Sequence, residues 1–126
     1  MTHAFRTAVE QRDEGALLAL LAADVRLNSP VAFQPFVGRE AVAHVLRNVL
    51  EVFEDFEYID ELTSVDAVAL VFTASVAGRQ VQGLDLLRFN EAGNVSELTV
   101  MVRPLSGVLA LAEAMAPRVA DLVKGK

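Results

Sequence analysis

The sequence predicts an α+β fold in which helices pack on one face of a curved antiparallel sheet and enclose an apolar pocket. Three observations lead there. Apolar residues recur at helical spacing over residues 39–53, and after residue 54 the period switches to two and stays there through four runs. Hydrophobic residues make up 53% of the 126, more than a core of this size absorbs. The usual destinations for such a surplus are a cavity lining and a subunit interface.

Residues 2–11 read as a helix capped by Thr2, with Phe5, Ala8 and Val9 on one face and Arg6 and Glu10 paired at i,i+4. Asp13 caps a second, short helix carrying Leu17, Leu18, Leu20 and Leu21, which stops before Asp24. Val25 and Leu27 start a short strand that Pro30 ends, and 29–38 reads as loop. From Arg39 to about Phe53, Val42, Val45, Leu46, Val49, Leu50 and Phe53 form a continuous helical stripe, opposite the polar Glu40, His44, Arg47 and Glu51.

The extended runs cover about 55–63, 67–77, 79–90 and 95–103, joined by short turn-forming segments, so neighbours should pair as an antiparallel meander. Gly83 interrupts the third run and predicts a bulge or bend that makes one sheet face concave. After Pro104, Val108, Leu111, Ala112, Met115, Val119 and Leu122 make a last helical stripe, kinked or divided at Pro117. Two placements suit that stripe, over the pocket or along a subunit interface.

Length fits one domain spanning 1–126. A net charge of -6, with no Lys/Arg cluster to reverse it locally, argues against nucleic acid and anionic membrane as partners. With no cysteine, thiolate chemistry and Cys-type metal sites are excluded. No apolar run approaches a membrane span and the start has no apolar signal region, so a cytoplasmic location is the default expectation. A Ser-His-Asp triad, a phosphate-cradling Gly loop and a dinucleotide fingerprint are absent, and no cofactor is expected.

Three segments, FRTAVEQRDEGALLALLAADVRLNSP (5–30), GREAVAHVL (38–46) and GLDLLRFNEAGNVSEL (83–98), resemble the nuclear transport factor 2-like superfamily, in its ketosteroid isomerase and SnoaL-like polyketide cyclase branch. The resemblance implies a cone-shaped, cystatin-like domain whose concave sheet face and long helix enclose a pocket, commonly in a dimer. Ketosteroid isomerases use an Asp base before the Pro that follows the first strand. Their oxyanion hole is a first-helix Tyr and a protonated strand Asp. Here those positions hold Ser29, Phe5 and Asp85. Ser29 is no carboxylate base and Phe5 donates no hydrogen bond, so only Asp85 keeps its role.

Strand alternation puts Asp85 on the same face as Leu87 and Phe89, the face expected to be concave. A carboxyl group among apolar side chains has its neutral form favoured, and a neutral carboxyl donates a hydrogen bond or acts as an acid. The plainer reading has Asp85 satisfied by protein donors at the strand edge. Ser29 reads either as an orienting hydroxyl at the pocket mouth or, more simply, as a turn residue. Phe5, Phe33, Val42, Leu46, Val49, Leu87, Phe89, Leu98, Val100 and Val102 are the expected apolar wall. His44, on the polar side of the long helix, and the terminal His3 read as solvated, and without a second nearby ligand neither marks a metal site. Alternation turns Arg88 and Arg103 outward, while Tyr58 and Asn28 fit either face.

The function expected is therefore a pocket for a small hydrophobic molecule, in an isomerase-, cyclase- or hydratase-type enzyme with Asp85 as acid or polarising group. The alternative is a non-catalytic binding or dimerisation module of the same fold. A homodimer through the convex sheet face is expected because the 67–77 run is apolar on both sides, Val68, Leu70 and Phe72 on one and Ala69 and Val71 on the other.

Overall fold

The long, amphipathic middle helix anchors the architecture of the computed structural model, which describes residues 2–123. It is α3, Arg39–Val52, entered through Gly38 at φ 104°, a left-handed conformation that favours glycine. Before it come α1 (Ala4–Glu10), α2 (Glu14–Leu20), β1 (Leu21–Asn28) and β2 (Phe36–Val37). After it come β3 (Glu54–Thr63), β4 (Ala67–Val76), β5 (Arg79–Phe89) and β6 (Val95–Arg103). The chain then forms α4 (Leu105–Met115), a 3-10 turn (Ala116–Arg118) and α5 (Ala120–Val123).

Local signals act much as the sequence suggested. Asp13 caps α2 by accepting from the Ala16 amide at 3.1 Å. At α1 the cap is His3, whose Nδ1 accepts from the Phe5 amide at 3.0 Å, rather than Thr2. Pro117 does divide the C-terminal helix, and its segment takes the tighter 3-10 form.

The six strands form one curved sheet in the order β2-β1-β6-β5-β4-β3. β3 to β6 are the expected antiparallel meander, but β1 runs parallel to β6, so the sheet is mixed, not wholly antiparallel. A parallel neighbour needs a long crossover, and here everything from α3 to β5 supplies it. Within the expected 29–38 loop, Phe36–Val37 form β2, which pairs with Leu27 and Arg26 of β1.

Gly83 does not form a bulge. It pairs in register with Phe72 on one side and Val102 on the other. A Cβ there would run into the Phe72 ring, so glycine is needed to let that ring lie flat across the sheet. The register shifts lie elsewhere, between Leu21 and Arg26 in β1–β6, at Arg88/Phe89 in β5–β6 and at two places in β3. Val68, Leu70, Phe72, Ala74 and Val76 point from β4 into the core with Phe5, Val42, Leu87 and Leu98. Ala67, Ala69, Val71, Thr73 and Ser75 are half-buried on the opposite face.

Candidate functional site

Asp85 sits mid-strand on β5, opposite Leu70 of β4 and Val100 of β6. Its side chain points toward the helices and is 8% exposed, and it is the buried charged residue of the described chain. From two strands away, Tyr58 of β3 reaches over and donates its hydroxyl to Asp85 Oδ2 at 2.7 Å. Tyr58 pairs with Phe72, but the register slips between Tyr58 and Asp60, so simple alternation does not fix the face of Tyr58.

Behind Tyr58 the packing is aromatic. Phe56 meets Tyr58 edge-on, with ring centres 4.9 Å apart, and lies 4.9 Å from Phe72 and 5.7 Å from Phe53. The Arg6 guanidinium lies 5.8 Å from the Tyr58 ring centre and is itself paired with Glu10 and Glu61. Glu61 also accepts from the His3 amide, which ties α1 to β3.

Burial pushes the Asp85 carboxyl up from 3.8 to about 7, and the Tyr58 hydrogen bond opposes this rise by favouring the ionised form. Tyr58 is raised well above the usual phenol range by its own burial and then by the adjacent Asp85. Only one oxygen of Asp85 is used. Among the described residues Oδ1 has no hydrogen-bond partner and no fully buried side-chain polar atom is left unpaired, so Oδ1 keeps access to the hollow that Asp85 lines.

The hollow lies between α3, α4 and the concave face of the sheet. Its cavity volume is about 80 Å³, where roughly 10–15 Å³ suffices for one water. The wall is overwhelmingly apolar, and Asp85 and Tyr58 are the ionisable groups on it.

Of the expected wall, Phe5, Leu46, Val49 and Val100 line this hollow, with Asp85 at its polar end and Ser29 at its rim. Val42, Leu87 and Leu98 face the right way but are closed in the core, at most 2% exposed, and do not line it. Val102 is only partly buried and lies outside the lining, as does Phe89, whose ring meets that of His3 at a tilt, 5.2 Å between centres. Phe33 is fully exposed on the β1–β2 loop, because the preceding turn directs it outward. That turn is held by Ser29, whose Oγ accepts from the amides of Val31 and Ala32.

Tyr58, Phe53, Phe56, Phe72, Leu111, Met115 and Val119 also line the hollow, although none of them belongs to the apolar wall that the sequence suggests. The last three answer one open question, since the C-terminal stripe covers the pocket. That cover is fastened to α3. His44 Nε2 lies 2.8 Å from the Arg118 carbonyl oxygen, and Arg118 donates to Glu51 at 2.7 Å and to Asn48 at 3.1 Å. Asn28 faces the convex side, donating to Glu97 and Thr99. Arg88 and Arg103 also turn outward, toward Asp66 and Gln82. Among the described residues no helix is long and apolar enough to cross a membrane, and no group of three or more His, Asp or Glu is placed to hold a metal ion.

A half-open hollow between a curved sheet and a long helix, with one buried acid, defines a pocket-bearing member of the nuclear transport factor 2-like superfamily. Residues 2–98 match the SnoaL-like domain family, and the chain belongs to that family. No curated protein matches it. Among solved structures it is similar to a bacterial protein with a cystatin-like fold from Silicibacter pomeroyi, at 36% identity over 93% of this chain and 83% of that one, with a TM-score of 0.88. A steroid delta-isomerase from Pseudomonas aeruginosa is 39% identical over 93% of this chain and 87% of that one, with a TM-score of 0.86. A SnoaL-like protein from Burkholderia thailandensis shares the fold at 22% identity over 80% of this chain and 90% of that one, with a TM-score of 0.67. These likenesses place the chain in the SnoaL-like and ketosteroid isomerase-like branch.

Proposed function

We propose that the hollow binds a small hydrophobic molecule through a carbonyl or phenolic oxygen, with Asp85 as the group that polarises it. The observation that carries this reading is the division of labour at Asp85. Oδ2 is held by Tyr58, and Oδ1 is left for a ligand in an apolar wall. In its neutral form Asp85 donates from Oδ1 to the ligand oxygen, and the Tyr58 bond behind it strengthens that donation. Hydrogen bonding draws electron density from the carbonyl and acidifies the carbon next to it, which favours enolisation, ring closure or addition of water.

The wall offers no carboxylate base to complete such a reaction. The position that carries the base in ketosteroid isomerases is Ser29 here, and its oxygen is occupied by two backbone amides. The chemistry that suits this site is isomerase-, cyclase- or hydratase-type conversion in which the substrate's own groups or a bound water take the proton, and confinement does the rest. The likeness to a steroid delta-isomerase makes steroid ketones the first ligands to try. We expect binding of such ketones without rapid isomerisation.

A second reading, a non-catalytic binding or dimerisation module, is favoured by the modest size of the hollow and by the Tyr58 bond that already satisfies one Asp85 oxygen. A thermal-shift screen of steroids, polyketides and terpenoids against the wild type and Asp85→Asn separates the two. Stabilisation by ketones that Asp85→Asn abolishes supports the first reading. Hits indifferent to the substitution, or no hits at all, support the second.

The whole chain is read as one domain, because β6 and α4, which run past residue 98, complete both the sheet and the cover of the hollow. A homodimer through the convex sheet face is part of the same proposal. Leu62 and Met101 lie about half exposed there beside half-buried Val71, Leu84 and Leu86. Light scattering reporting only monomer at micromolar concentration overturns it.

A further inference from the structure

We infer that the same hollow, with Asp85 ionised, is a receptor for small lipophilic ammonium ions. This rests on the reading of Asp85 as the anchor of the pocket, and it extends the ligand class from neutral carbonyl compounds to cations.

The argument starts from what the wall lacks. A buried carboxylate is ordinarily paired with a cation, and no Lys, Arg or His lines this hollow. Arg6 lies against the Tyr58 ring and is held by Glu10 and Glu61. Tyr58 donates one hydrogen bond to Asp85 and brings no positive charge. The ionised form of Asp85 is therefore short of a positive partner, and Oδ1 is the free point at which one can be met.

What the wall contains points the same way. Phe5, Phe36, Phe53, Phe56, Tyr58 and Phe72 all line the hollow. Aromatic faces attract ammonium and alkylammonium groups, and most strongly where water is excluded. A carboxylate at the end of an aromatic wall supplies both terms of recognition for an alkylated ammonium, with full charge at Oδ1 and dispersed π attraction around the methyl groups. A neutral hydrocarbon of the same shape gains only the apolar contact.

Protonation of Asp85 decides between the two ligand classes. The titratable and charged groups around it are few. Tyr58 comes from β3, with Arg6 and Glu10 of α1 and Glu61 of β3 on the outer side of its ring, while the lining residues of β4, β6, α3 and α4 are apolar. A neutral Asp85 suits a carbonyl oxygen and an ionised one suits a cation, so the two ligand classes should have opposite pH dependences.

The test uses isothermal titration calorimetry with benzyltrimethylammonium and its uncharged isostere neopentylbenzene, with a hydrophobic ketone alongside. Because the ammonium is permanent, only the protein titrates. The cation is expected to bind more tightly than the isostere above neutral pH. With a midpoint of about 7 for Asp85, its affinity should fall about thirtyfold between about pH 8.5 and about pH 5.5, while that of the isostere stays level. Asp85→Asn should abolish the preference. Tyr58→Phe removes the hydrogen bond that favours the ionised form and should move the pH dependence upward, and it serves as the second variant.

Equal binding of cation and isostere at high pH overturns the inference, as does a preference that survives in Asp85→Asn. Asp85-dependent binding of the ketone without the ammonium removes this inference and leaves the carbonyl reading standing. Binding of the ammonium alone does the reverse. Failure of all three to bind removes both.

Discussion

Replacing Asp85 by Asn keeps the shape of the side chain and removes its ionisable proton, so it isolates the cost of holding a carboxylate in an apolar hollow. The sign follows from proton counting. With a carboxyl raised from 3.8 to about 7 in the folded protein, the native state binds more protons than the unfolded chain between those values, and stability falls as pH rises through that window. At roughly 1.36 kcal/mol per pKa unit the full loss is on the order of 4 kcal/mol, absent below the lower value and complete above the upper one. The Asp85→Asn variant has no such loss, and its amide oxygen can still accept from Tyr58.

The assay is urea unfolding of both proteins at a series of pH values from about 4 to about 9, at one fixed protein concentration so that any assembly contributes equally. Contributions from all other groups cancel in the difference between the two proteins. The expected difference is small at the acid end and moves in favour of the variant by about 4 kcal/mol above neutral pH. Parallel curves across the range would refute the reasoning, since Asp85 would then titrate alike in the folded and unfolded chains.

Further substitutions test the surroundings of the site. Tyr58→Phe removes the donor to Asp85 Oδ2 and should cost about 1–3 kcal/mol in urea unfolding at alkaline pH, less when Asp85 is neutral. Gly83→Ala places a methyl group where the Phe72 ring lies. It should cost about 1–3 kcal/mol and, by pushing that ring toward the hollow, weaken ligand binding. Two phenylalanines make a paired control in the same unfolding assay. Phe33→Ser should change stability by no more than about 0.5 kcal/mol because the ring is fully exposed, whereas Phe5→Ala, at a ring 1% exposed, should cost about 3–5 kcal/mol.

The contrast between Phe33 and Phe5 shows what a sequence pattern can convey. Phe5 belongs to a helical stripe with Ala8 and Val9, periodicity put all three on one face, and that face is buried. Phe33 lies in a loop without periodicity, where aromatic character alone does not tell a pocket from solvent. Alternation assigned Leu87 and Leu98 to the correct face of the sheet, yet facing the core is not the same as facing an empty part of it. Where the packing stops depends on α3 and α4 meeting the sheet, a tertiary fact with no local signature.

Asp85 was legible because it keeps the strand acid of the family that the sequence resembles, and because it stands between Leu84 and Leu86. Its partner Tyr58 was not, since the two register slips in β3 break the period-two rule that would have fixed its direction. The parallel pairing of β1 with β6 was hidden for a related reason. Strand periodicity reports a buried face and carries no information on which distant strand will be the neighbour. Gly83 was visible as an anomaly, but its cause lies across the sheet in the bulk of Phe72.

The measurement that tests the account most directly is a carbon-13 NMR titration of aspartate-labelled protein, with Asp85→Asn to identify the resonance, recorded free and saturated with a hydrophobic ketone. The account predicts a midpoint of about 7 for the free protein, moving higher with the ketone bound because the ligand engages the protonated carboxyl. A midpoint in the ordinary aspartate range, or one that a saturating ketone leaves in place, would contradict it.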